Sequence, residues 1–72
     1  MTYRIARMMD GYTFCWLEPG EAIPGGCSDV RPAPPEIAAL ADKILAEDAA
    51  GEISDATAEQ MRAALDALSV HA

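Results

Sequence analysis

Side chains suited to catalysis or metal binding are scarce in this sequence. It has one histidine, His71, and two cysteines, Cys15 and Cys27, with no C-x2-C or H-x3-H spacing among them. A structural zinc site needs four such ligands, so neither a metal nor a cofactor is expected. Ser28, Ser54 and Ser69 have no neighbouring base and no G-x-S-x-G turn, and no phosphate-cradling glycine loop follows a strand. Carboxylates are plentiful, but acid–base catalysis needs one in a dry pocket beside a nucleophile or leaving group. The chain reads as non-enzymatic.

Basic residues are also few. Five Lys and Arg stand against twelve Asp and Glu, for a net charge of −7 and a pI near 4.3. That balance excludes direct nucleic-acid binding and attachment to an anionic membrane, and leaves basic proteins as partners. There is no run of about 20 apolar residues, and Arg4 and Arg7 interrupt any signal-peptide core near the start. A cytoplasmic protein is expected, with Cys15 and Cys27 as free thiols in a reducing compartment and a disulfide between them as the alternative.

Large apolar side chains are limited too. Alanine supplies fifteen residues of the 51% hydrophobic fraction, and the aromatics are one Phe, one Trp and two Tyr. A chain of 72 residues buries only about 60% of its unfolded surface, so residues 1–72 form one small domain with little core to spare.

Three segments follow from the patterning. Residues 2–17 alternate as a β-hairpin, with Asp10-Gly11 as a two-residue type I′ turn. That register opposes Met9 with Tyr12, Arg7 with Phe14, Ile5 with Trp16 and Tyr3 with Glu18. It gathers Tyr3, Ile5, Met9, Tyr12, Phe14 and Trp16 on one face, under the helices, with Arg7 stacked across Phe14. Arg4, Ala6, Met8, Thr13, Cys15 and Leu17 take the other face. Residues 18–35 hold all five prolines and cannot be helical. A short third strand is expected within 21–30, at Ala22-Ile23 or Cys27 to Val30, because an unstructured loop of that length is rare in a small domain.

Residues 36–70 read as a helical hairpin. Pro35 suits a first helical turn, and Ile37, Leu40, Ala41, Ile44 and Leu45 follow helical spacing. Gly51 stops that helix. Ser54 or Asp55 caps a second one with the stripe Ala58, Met61, Leu65 and Leu68. The short link makes the helices antiparallel. The expected fold is α+β: an antiparallel hairpin, with a candidate third strand, packed on a two-helix hairpin.

The link between the helices also resembles an EF-hand loop over residues 46–57, with Gly51 and Ile53 at its sixth and eighth positions. Its first, third, fifth and twelfth positions read Ala46, Asp48, Ala50 and Thr57, which is too few oxygens for calcium. Residues 36–72 hold eight acids and two bases, a net −6, so most of the charge lies on the helical hairpin. Glu47 and Asp48 fall at a helix C-terminus, where the dipole disfavours them, and Asp48/Glu52 and Asp55/Glu59 are like-charge pairs four apart. Glu47, Asp48, Glu52, Asp55 and Glu59 are the candidate partner-binding patch. On the second helix Ala63, Ala67 and Val70, in line with Ala56, form a small-residue face suited to a homodimer.

Two resemblances bear on function. The stretch Tyr3-Arg-Ile-Ala-Arg-Met-Met-Asp10-Gly11-Tyr12, followed by Pro19-Gly20, is similar to the first strands of HicB-type antitoxins. That resemblance implies a tyrosine-led hairpin, a short third strand, a helix, and neutralisation of a toxin ribonuclease. A tiny acidic α+β protein without catalytic residues also resembles, in type, the phage anti-CRISPR inhibitors that block a basic nucleic-acid groove. Both imply an acidic protein occupying a basic surface that would otherwise hold RNA or DNA.

Overall fold

The computed structural model describes residues 2–71, with the side chains of Val70 and His71 outside that description. Its elements are β1 (Arg4–Arg7), β2 (Phe14–Leu17), β3 (Ser28–Pro32), α1 (Pro35–Ala49) and α2 (Asp55–His71). The three strands form one antiparallel sheet in the order β2-β1-β3, and α1 packs against α2, giving an α+β fold.

The hairpin keeps the expected register, with Ile5 opposite Trp16 and Arg7 opposite Phe14. Its turn differs. A type I′ turn needs positive φ at both central residues, and only Gly11 has it, at +80°. The Asp10 carboxylate instead accepts the N–H groups of Tyr12 and Thr13, each at 2.8 Å, and the Thr13 hydroxyl at 2.5 Å. Those bonds fix Asp10 in a local turn and hold its carboxyl below the usual range. Gly11 N–H donates to the Met8 carbonyl at 3.0 Å, and Met8 N–H to the Thr13 carbonyl at 2.7 Å. The connection is thus a four-residue loop, Met9 to Tyr12. Widening it by one residue on each side preserves the register but removes Met9 and Tyr12 from the strands. They are 81% and 75% exposed, not part of the buried face.

Sheet order decides what covers the other face. β1 is antiparallel to both neighbours, so β2 and β3 run parallel and the link 18–27 must cross β1. The helices occupy the Ile5/Phe14/Trp16 face. The crossover therefore covers the opposite one, where Leu17 and Ala6 are 2% and 0% exposed. It is tied down by the Arg4 guanidinium, which donates to the Glu18 and Glu21 carbonyls, and by the Glu21 carboxylate, which accepts Glu18 N–H at 2.9 Å. Cys15 and Cys27 are free, half-buried thiols. Burial pushes the Cys15 thiol up, with Cys27 beside it adding to the effect.

The third strand lies at the later of the two expected places, extended to Pro32, and it pairs with β1 through a bulge between Ile5 and Arg7. Asp29 sits at φ +53° in that bulge, and its carboxylate bridges Arg7 at 3.0 Å and Arg31 at 2.5 Å. Both guanidiniums hold it below the ordinary carboxylate range. Both also lie over the Phe14 ring, Arg7 at 4.7 Å from the centroid and Arg31 at 5.3 Å, so the expected Arg7 stacking is doubled.

Between the layers, Ile5 and Phe14 meet Ile37, Ala41 and Ile44 of α1 and Met61 and Leu65 of α2. Tyr3 and Trp16 pack edge to face at 6.2 Å on the margin of this core, and the Tyr3 hydroxyl donates to Asp42 at 2.5 Å. That bond and nearby burial raise the Tyr3 pKa. On α2 the expected stripe is wrong at one position. Ala58 is exposed and Thr57, 1% exposed, is buried in its place.

Candidate functional site

The turn between the helices is built from backbone rules and one long-range carboxylate. α1 ends in a Schellman motif: Glu52 N–H donates to the Glu47 carbonyl at 3.1 Å and Gly51 N–H to the Asp48 carbonyl at 3.0 Å. Gly51 permits it with φ +117°. Ser54 then caps α2, its Oγ accepting Thr57 N–H at 3.2 Å. In an ordinary capping box the third helical residue reaches back to the cap's own N–H. Here that residue is Thr57, too short to reach, and Glu47 of α1 supplies the carboxylate.

Glu47 therefore stands apart from the other candidate acids. Its Oε1 accepts Ser54 N–H at 2.8 Å and its Oε2 accepts the Thr57 hydroxyl at 2.8 Å. These bonds hold its carboxyl below the usual range and make a buried Thr57 hydroxyl tolerable. Glu47 organises the turn and has little left for a partner. Asp48, Glu52, Asp55 and Glu59 are all exposed around that turn or on the first turns of α2. Glu52 lies past the end of α1, so the Asp48/Glu52 pair is not a helical i, i+4 pair, whereas Asp55 and Glu59 share a helix. Residues 46–57 thus carry a helix stop and a helix start, not a cation loop.

Of the small-residue face, Ala63 and Ala67 are exposed on α2, and the Val70 side chain lies outside the described residues. The metal-ligand candidate His71 has its side chain outside them as well. Among the described residues no group of three or more His, Cys, Asp or Glu is placed to hold a metal ion. None of the described helices is long and apolar enough to cross a membrane.

A second feature has no counterpart in the sequence reading. A groove of about 350 Å³ opens between β2 and α2, lined by Thr13, Phe14, Ala58, Met61 and Leu65, with Glu59, Arg62 and Asp66 along its rim. Sequence patterning assigned Ala58 to the core, and the exposure of that small residue is what leaves the groove open. Glu59 belongs to both the groove and the acidic turn.

Comparison with known protein families, with curated proteins and with solved structures finds no match. The HicB-type resemblance rests on the residues quoted for it, and the anti-CRISPR resemblance on size, charge and fold type alone.

Proposed function

We propose that this protein is a non-enzymatic inhibitor, of anti-CRISPR type, that sets its acidic helical turn on a basic nucleic-acid-binding surface of a partner protein. The observation that supports this is the exposure of Asp48, Glu52, Asp55 and Glu59 around a turn fixed by the Glu47–Ser54–Thr57 bonds. A rigid cluster of carboxylates loses little conformational freedom on binding and presents a charge pattern complementary to a phosphate-binding groove.

The test is to capture binding proteins from host lysate, then measure RNA and DNA binding by the captured protein. Wild-type protein should displace the nucleic acid, and a variant carrying Asp48→Lys, Glu52→Lys and Asp55→Lys should not. Glu47 is left intact so that the fold is preserved. Nucleic-acid binding that persists at saturating wild-type protein refutes the reading.

A HicB-type antitoxin is the second reading, favoured by β3 lying between the hairpin and α1, the order that resemblance implies. A small ribonuclease encoded beside this chain, and silenced by it, would select that reading. The contrasting class is an assembly module that dimerises through Ala63, Ala67 and Val70. Light scattering that gives a 7.6 kDa monomer at high concentration removes it.

A further inference from the structure

Strand alternation brings the two cysteines to one face of the sheet. Cys15 follows Phe14, whose ring packs under the helices, so Cys15 points to the face that the crossover covers, opposite Ala6 of β1. At the other edge Ser28 is opposite Arg7, whose guanidinium lies over that same Phe14 ring. Cys27, one residue earlier, therefore turns to the crossover face as well. A tight turn fixes it there: its N–H donates to the Pro24 carbonyl at 3.3 Å, and Gly26 takes φ +86°. β1 runs between the two cysteines, and its side chain opposite Cys15 is only the methyl group of Ala6.

Both thiols are free and half-buried, and burial together with the neighbouring Cys27 sulfur pushes the Cys15 thiol up. Their surroundings differ. The residues on either side of Cys27 are exposed, whereas Cys15 sits between buried Phe14 and half-buried Trp16. Cys27 is thus the thiol that an outside reagent reaches first, and Cys15 is the thiol held beside it. The crossover also has a use for a bond at this point. Its ties to the sheet run from Arg4 to the Glu18 and Glu21 carbonyls, both in the first half of the link, and a bond at Cys27 would secure the other end.

We propose that Cys15 and Cys27 form a reversible redox staple, oxidised by a low-molecular-weight disulfide, that fastens the crossover to the sheet. The Cys27 thiolate attacks one sulfur of the external disulfide and bonds to it. The other sulfur leaves as a thiolate and takes up the proton that Cys27 lost. The Cys15 thiolate then attacks the Cys27 sulfur, forms the Cys15–Cys27 bond and expels the second external thiolate, which takes the Cys15 proton. Two protein thiols are oxidised, and one external disulfide is reduced to two thiols. The raised pKa of Cys15 leaves the first step to Cys27. Once closed, the staple restricts the unfolded chain and holds the crossover over Ala6 and Leu17. It stands on sheet parity, independently of the inhibitor reading.

The probe is oxidised glutathione, incubated with the reduced protein and followed by intact mass and non-reducing peptide mapping. The expected product is a monomer that has lost two hydrogens, with Cys15 linked to Cys27, and dithiothreitol should restore the starting mass. Cys15→Ser should stop at a glutathione adduct on Cys27, and Cys27→Ser should react about tenfold more slowly than wild type. The stapled protein should melt about 8 °C or more above the reduced form, with slower hydrogen exchange over residues 18–27. Wild-type protein that ends as a stable glutathione adduct, or as a disulfide-linked dimer, overturns the proposal. A stapled form that melts no higher than the reduced one also overturns it, since the bond would then distort the crossover. These readouts are made on the wild-type chain, so a serine variant that fails to fold leaves the test intact.

Discussion

Truncating Leu17 to alanine tests the crossover directly. Leu17 is 2% exposed on the face away from the helices, where its cover is the link 18–27. Leu17→Ala removes three carbons, and at about 0.8 kcal/mol per buried CH2 the lost transfer energy is roughly 2.4 kcal/mol. A residual cavity adds to this, up to the ~5 kcal/mol observed where surroundings stay rigid. The cover here is a loop that can settle inward, so the expected loss is about 2–3 kcal/mol. A domain of this size holds roughly 4–11 kcal/mol in total, at about 0.05–0.15 kcal/mol per residue.

The assay is urea unfolding followed by the fluorescence of Trp16, a partly buried residue against the main core. With m near 1 kcal/mol/M, the low end for small domains, the midpoint should fall by about 2–3 M. Met9→Ala is the control. Met9 is 81% exposed, and its truncation should stay within about 0.5 kcal/mol of wild type. A neutral Leu17→Ala beside a Met9→Ala that costs more than about 1 kcal/mol would refute the burial of Leu17 beneath the crossover and the exposure of Met9.

Ser54→Ala removes the cap of α2 and should cost about 1 kcal/mol by thermal or urea unfolding, with Ser54→Gly losing less. Gly51→Ala meets no atom within 4 Å, so the expected loss of about 1–2 kcal/mol comes from its positive φ alone; a neutral result would mean the Schellman turn has relaxed. Glu47, Asp10 and Asp29 all have pKa values depressed by folding, so their contribution is complete above the ordinary carboxylate range of about 4 and is lost as pH falls through the lower, folded values. The gap in melting temperature between wild type and Glu47→Gln, followed by circular dichroism from pH 7 to pH 2, should therefore narrow below about pH 4, and a constant gap counts against the bonding at Ser54 and Thr57. Asp48→Lys places a cation at the C-terminus of α1 and should leave stability unchanged or slightly raised, whereas Glu47→Lys should lower it sharply in the same unfolding assay.

The register of the hairpin was legible because strand parity is strict: a one-residue slip would have turned Ile5, Phe14 and Trp16 outward. The shape of its loop was not, because the Asp10 side chain competes for the N–H groups of Tyr12 and Thr13 and outweighs the local Asp-Gly preference. Leu17 was placed on the correct face, but its burial was not legible, for a different reason. Its burial depends on β3 joining the far side of β1, and no local pattern reports strand order. Thr57 and Ala58 exchanged places because Glu47, ten residues earlier, satisfies the Thr57 hydroxyl. The helix stop at Gly51 and the cap at Ser54 are local chemistry, and both were readable. The groove was not, since it opens between β2 and α2, which meet only in the folded chain, at Ala58, a residue the helical stripe placed in the core.

The same distinction divides the acids. Asp10, Glu21, Asp29, Asp42 and Glu47 each accept hydrogen bonds that close a turn, pin the crossover, bridge two arginines, hold Tyr3 or cap α2. Their charge is spent on local structure, and charge reversal at those positions should read out as unfolding. Asp48, Glu52, Asp55 and Glu59 are exposed, and three of them stand on helices where their position, not a partner, sets the local energy. Asp55 and Glu59 at the start of α2 lie near its positive end, while Asp48 in the last turn of α1 lies near a negative one. A solvated face chosen only for solubility would favour the first arrangement and avoid the second. The acid placed against its helix dipole is thus the informative one, and a partner that contacts Asp48 should bind more weakly as salt rises, by the screening expected for charges on an exposed turn.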